Sequence, residues 1–221
     1  MKLLLPVLVA LVLVAAGLRP ERAEAQVLVL GDSVLTWNEW TADGSAPEVV
    51  QLRYGRRVVN NAVPGSGLLK GGNRGPSVPE QYRAGNWDAV VINGGANDLL
   101  SFCGCAACDE VVDRLVSSNG ATGAYPDLMA RIDAPIILIG YYGPVRGGSS
   151  DYNICADETV ELSRRLRQIA ERRPDIIFIS LREAFGGARK FYDSDNTHPS
   201  VEGTALIARL IAEALDTVDP R

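Results

Sequence analysis

Histidine is nearly absent: His198 is the only one in the chain. Any mechanism that needs an imidazole must use it, and a metal site built from several histidines is excluded. Positive charge is also scarce, with 22 Lys+Arg against 27 Asp+Glu and no basic stripe. Nucleic-acid binding is therefore not expected. No phosphate-binding G-x-x-x-x-G-K-[ST] pattern or dinucleotide fingerprint occurs. Repeats, linkers and low-complexity tracts are missing too. The 221 residues, 47% of them hydrophobic and 22% charged, suit one globular domain rather than a disordered chain.

One long apolar run stands out, from Leu3 to Leu18 after Lys2, broken by Pro6. It is short for a membrane span of ~20 residues. The small-residue pattern Ala23-Glu24-Ala25 follows. Residues 1–25 thus read as a secretory signal peptide, with cleavage after Ala25. An uncleaved anchor is the alternative. The prediction is an exported protein with residues 26–221 as its single domain and no stable membrane span after cleavage.

The chain has four cysteines: Cys103, Cys105, Cys108 and Cys155. In an oxidising compartment an even count reads first as two disulfides. Three connectivities are open. A Cys103–Cys105 bond is strained, which favours pairings that tie Cys155 to Cys103 or Cys105. The rival is a four-thiolate metal site, but Cys-x-Cys-x2-Cys is not a standard zinc spacing.

Five short apolar runs punctuate the rest: Val27–Leu30, Arg57–Asn60, Ala89–Ile92, Pro135–Gly140 and Ile176–Ser180. Such runs suit strands buried on both faces of a parallel sheet. Helix signals lie between them. Ser45-Ala46-Pro47-Glu48 has capping-box form, and the helix it opens runs to about Tyr54, with Gly55 as its stop. Further helices are predicted over about Val78–Ala84, Asp109–Val116, Tyr125–Ile132 and Asp157–Arg172, and from about Ser200 onward. The alternation is that of an α/β fold with helices on both sides of the sheet.

Four short segments fall where loops of such a sheet converge. They are Gly31-Asp32-Ser33, Asn60-Asn61-Ala62-Val63-Pro64-Gly65, Gly95-Ala96-Asn97-Asp98 and Asp195-Asn196-Thr197-His198. A serine hydroxyl needs a base to take its proton, and His198 is the one imidazole available. Asp195, three residues away, can fix its tautomer and stabilise the imidazolium. The N–H groups of Ser33 and Gly65 and the side-chain amide of Asn97 can donate to a developing oxyanion. Glycine at position 65 lets backbone approach substrate closely. Trp37, Trp40, Phe102, Tyr141 and Tyr142 lie near strand ends and are candidates for a substrate pocket.

In these blocks the chain resembles the SGNH, or GDSL-type, hydrolase family. Ser33 in Gly-Asp-Ser-Val, Gly65 in Asn-Asn-Ala-Val-Pro-Gly, Asn97 in Gly-Ala-Asn-Asp, and Asp195 with His198 in Asp-Asn-Thr-His-Pro match its four blocks. Val34 replaces the leucine of the family name, and Ala62 stands where another glycine is frequent. The cysteine cluster is no part of the family pattern. The resemblance implies a three-layer α/β/α sandwich around a mainly parallel five-stranded sheet. It implies a serine esterase acting through Ser33, His198 and Asp195 and an acyl-enzyme, with no metal and no cofactor. The α/β-hydrolase elbow Gly-x-Ser-x-Gly is not met, because Leu35 occupies the second glycine position. The expected partner is a small-molecule, carbohydrate or lipid ester, and the protein is expected to be a monomer. Carbohydrate O-acetyl esterase or acyltransferase activity, or a non-catalytic binding module on the same scaffold, are the alternatives.

Overall fold

Val27–Leu30, Ala89–Ile92 and Ile136–Ile139 offer water no polar face, and each is buried throughout. In the computed structural model, which describes residues 26–42, 44–72 and 75–218, they form the centre of a sheet. The strands are β1 (Gln26–Leu30), β2 (Arg57–Asn60), β3 (Ala89–Ile92), β4 (Ile136–Gly140) and β5 (Ile176–Ser180). Their order is β2-β1-β3-β4-β5, and every neighbouring pair is parallel. The less buried strands, β2 and β5, take the edges. The predicted signal peptide, residues 1–25, lies outside the described residues.

Helices flank the sheet in an α/β/α arrangement. They are α1 (Ser33–Thr36), α2 (Ala46–Tyr54), α3 (Val78–Gln81), α4 (Ala96–Cys103), α5 (Asp109–Leu115), α6 (Ala124–Met129), α7 (Ala156–Arg172), α8 (Leu181–Phe185) and α9 (Val201–Val218). The α9 helix packs on α2, β3 and β5, while α7 packs on β4 and β5. Gly203, Ile207, Ala208, Ile211 and Leu215 form the buried stripe of α9. No helix among the described residues is long and apolar enough to cross a membrane.

The α2 boundaries match the sequence expectation. Glu48 accepts from the Ser45 amide at 2.6 Å, and Gly55 stops the helix at φ +65°. The predicted helix over Val78–Ala84 is shorter. It ends at Gln81 because Tyr82 turns extended and donates its hydroxyl to the Arg131 carbonyl. The α1 and α8 helices span only a turn or so, too short for a periodic pattern, and α4 opens on Gly94-Gly95-Ala96-Asn97, with Gly95 rather than Asn97 at its cap.

The chain runs from β1 to the edge at β2, then crosses back to β3 on the other side of β1. Loops leaving β1 and β3 diverge at this switch and open a crevice at the carboxyl ends of the strands.

Candidate active site

The crevice is built from the first turn of α1 and the loop before α9. Asp32 caps α1, accepting from the Val34 amide at 2.9 Å. Ser33 is therefore the first helical residue, with its amide directed out of the turn. On the other side, Asp195 Oδ1 accepts from the Thr197 and His198 amides, both at 2.9 Å. This Asx turn folds His198 back over its own carboxylate. Asp195 Oδ2 lies 2.6 Å from His198 Nδ1, and His198 Nε2 lies 2.9 Å from Ser33 Oγ. An ionised carboxylate only accepts, so Nδ1 carries the proton and Nε2 presents a lone pair to the serine hydroxyl. Burial raises the Asp195 carboxyl, but the hydrogen bonds from His198 and Thr197 outweigh it and hold the group below its ordinary value.

The two loops are tied from behind. Asn38 adopts φ +70° just past α1 and is 4% exposed. Its amide donates to the Pro199 carbonyl at 3.0 Å and to Thr204 Oγ1 at 2.8 Å. The segment after Ser33 is thus clamped to the segment after His198. Tyr142 adds a hydroxyl donated to the Thr197 carbonyl at 2.7 Å.

Asn97 enters from the start of α4. Its Nδ2 donates to the Ser66 carbonyl at 3.0 Å and has a longer contact of 3.4 Å to Asp32 Oδ2. Tyr152 donates to its Oδ1 at 2.8 Å. Gly65, beside Ser66, sits at φ +78°, a conformation that glycine adopts without strain. The amides of Ser33 and Gly65 donate to no group among the described residues. Asp98 is fully buried and accepts from the Leu68 and Leu69 amides at 2.7 and 2.9 Å, anchoring the loop that carries Gly65.

Asp32 is buried as well. Burial pushes its carboxyl above the usual carboxylate range, against the hydroxyl of Tyr141 at 2.5 Å. Burial and the nearby Asp32 charge push the Tyr141 hydroxyl up in turn, so it remains a donor.

A cavity of about 50 Å³ opens between Ser33, Asn97, Tyr141, Tyr142, Tyr152 and His198. Tyr141 and Tyr142 line it, but Trp37, Trp40 and Phe102 do not. The α1 helix ends within one turn, which swings Trp37 behind His198 and leaves Trp40 63% exposed beyond it. Phe102 lies on the outer face of α4 under the Arg114 guanidinium. Gly65 is on the adjoining loop rather than in the cavity wall. Tyr152 and Asn153 were not anticipated. They come from a 3-10 turn, Asp151–Cys155, whose contact with Asn97 spans 55 residues and leaves no local pattern.

The cysteines pair as Cys103–Cys108 and Cys105–Cys155, with Cα–Cα distances of 5.4 and 4.7 Å. This is one of the two favoured ways of tying Cys155, and it excludes the four-thiolate alternative.

Residues 29–206 match the model of the GDSL-like lipase/acylhydrolase family. The chain belongs to that family. Membership supports a hydrolase of the esterase type. No curated protein matches the chain in sequence. Among solved structures it is similar to a carbohydrate acetylesterase family member from Sinorhizobium meliloti, at 15% identity and TM-score 0.60, covering 88% of this chain and 98% of that one. It is similar to TesA at 22% identity and TM-score 0.60, covering 87% and 99%. An active-site mutant of a family two carbohydrate esterase from Clostridium thermocellum aligns at 18% identity and TM-score 0.54, covering 88% and 64%. At these identities the likeness establishes the fold alone.

Proposed function

We propose that this GDSL-family chain is an exported serine esterase that works through an acyl-enzyme. The observation that carries the reading is the line from Asp195 through His198 to Ser33, with contacts of 2.6 and 2.9 Å. Ser33 Oγ attacks the ester carbonyl while His198 Nε2 takes its proton. Negative charge forms on the carbonyl oxygen and is met by the Ser33 and Gly65 amides and by Asn97 Nδ2. The Asn97 N–H whose contact to Asp32 is long is the one free to turn toward it. His198 then protonates the departing alcohol, leaving an ester on Ser33. Water attacks that ester with His198 again as base, and the acid is released. Asp195 steadies the imidazolium in both halves of the reaction.

A second reading is a carbohydrate O-acetyl esterase or acyltransferase on the same scaffold. The Sinorhizobium and Clostridium structures carry titles of that kind.

The test is hydrolysis of aryl acetate, butyrate and octanoate by residues 26–221 and by Ser33→Ala. A covalent serine probe is applied in parallel. Labelling of Ser33 and loss of turnover in the variant support an esterase. Equal rates, or no labelling of folded protein, sink it. Release of acetate from acetylated oligosaccharide, or transfer to an acceptor sugar, separates the second reading from the first.

A further inference from the structure

An oxyanion-binding side-chain amide has two faces of opposite sign. Turned one way, Asn97 offers an N–H to the developing charge; turned the other way, it offers a carbonyl oxygen that repels it. The surroundings of Asn97 decide between them. On its nitrogen side stand the Ser66 carbonyl at 3.0 Å and the Asp32 carboxyl at 3.4 Å. On its oxygen side stands the Tyr152 hydroxyl, 2.8 Å from Oδ1. A hydroxyl donated to the amide oxygen also draws density from its nitrogen and strengthens the N–H as a donor.

Tyr152 is held by an unusual device. It follows the glycine-rich stretch 143–150, and loops of that composition do not by themselves keep a phenol in register. Its turn, Asp151–Cys155, is of the 3-10 kind, in which residues three apart eclipse one another. Tyr152 and Cys155 therefore share one face. The turn packs alongside α4, and Tyr152 meets it at Asn97. Cys155 is fully buried and bonded to Cys105, just past the end of α4. Cys103, the last residue of α4, is bonded to Cys108. The helix that carries Asn97 and the turn that carries Tyr152 are covalently one unit.

We propose that Tyr152 is a positioning residue that fixes the Asn97 amide with its N–H toward the reacting carbonyl oxygen, and that the Cys105–Cys155 bridge holds Tyr152 in place. The proposal rests on the reading of Asn97 as an oxyanion donor. Loss of orientation acts on the transition state and not on substrate binding, so it lowers kcat and leaves KM alone.

The experiment is steady-state kinetics on aryl acetate with four variants. Removing a whole oxyanion donor lowers kcat by about 10²–10³-fold, which is the expectation for Asn97→Ala. Tyr152→Phe keeps the ring and loses the hydroxyl, and lowers kcat by about tenfold at unchanged KM. Asn97→Ala/Tyr152→Phe is no slower than Asn97→Ala, because the hydroxyl has nothing left to orient. Cys105→Ser/Cys155→Ser falls to the level of Tyr152→Phe. Wild-type protein is also titrated with a dithiol reductant, with thiol counts and circular dichroism in parallel, so that the bridge is tested even if the serine variant fails to fold. Full kcat in Tyr152→Phe overturns the proposal, as do a raised KM at constant kcat and multiplicative losses in the double variant. Full kcat in folded protein lacking the Cys105–Cys155 bond overturns the role of the bridge. If Asn97→Ala itself is unimpaired, the oxyanion reading beneath the proposal has failed instead, and the two failures are distinguishable.

Discussion

The indole of Trp37 lies flat against the imidazole of His198, with ring centroids 3.5 Å apart and planes inclined by 5°. Trp37 is itself held by a hydrogen bond from Nε1 to Asp193 Oδ2 at 2.8 Å, and Trp40 meets it edge-on. The indole fills the space into which the imidazole would otherwise tilt, and its electron-rich face favours the imidazolium formed during turnover. Trp37→Ala is expected to lower kcat on aryl acetate by about tenfold, in keeping with a cation–π contribution of about 1–2 kcal/mol. Trp37→Phe retains most of the rate, and Trp40→Ala, at an exposed position, changes little. Loss of equal size in Trp37→Phe and Trp37→Ala would assign the effect to the Asp193 hydrogen bond rather than to stacking.

Asp195 is held below the ordinary carboxylate value by hydrogen bonds from His198 and Thr197, so it keeps its charge at mildly acid pH. This depression carries a stability consequence. A carboxyl with a lowered pKa in the folded state contributes stability above its unfolded value, and that contribution is lost as pH falls through the folded value. Glu161, held at about 2 by hydrogen bonds from Arg164 and Arg165, behaves alike. The contribution of Glu161 is complete above pH ~4.5 and declines toward pH 2, so thermal melts should weaken across this window. Glu161→Gln should flatten part of the decline.

Asn38 joins the two ends of the site through hydrogen bonds to Pro199 and Thr204. Asn38→Ala leaves a buried carbonyl and hydroxyl without these partners and places alanine at φ +70°. The expected destabilisation is about 2–4 kcal/mol, from lost buried hydrogen bonds and left-handed backbone strain. Urea unfolding measures it. Activity at saturating substrate should fall too, since the Ser33 and His198 loops lose their clamp. A variant with wild-type midpoint and rate would show the clamp to be redundant.

The Cys105–Cys155 bond closes a loop with a sequence separation of 50. Loop-closure entropy assigns such a bridge about 4 kcal/mol. Reduced protein should melt well below oxidised protein, and a thiol count under denaturing, non-reducing conditions should return no free thiol. Four free thiols in the secreted protein would overturn the pairing.

The sequence was most readable where one residue's surroundings are local or uniform. β1, β3 and β4 are buried on both faces, so composition alone marks them. The α2 boundaries follow from Ser45, Glu48 and Gly55, all within one short segment. Ser33, Asn97, Asp195 and His198 were identifiable as candidates because strand ends converge, and the structure brings them to one crevice. Trp37 and Trp40 lie outside the cavity because proximity in sequence does not give the direction in which a one-turn helix releases the chain. Tyr152 and Asn38 were missed for a related reason. Their partners are 55 residues away in one case and 161 and 166 in the other. An Asn or Tyr carries no mark in sequence of a polar contact made across the fold.

Ser33 stands directly after the first strand, whereas His198 is delivered only when α9 docks against α2 and β3. The pairing of hydroxyl and imidazole is thus a product of tertiary docking, and a chain whose α9 has not yet packed keeps the two groups apart.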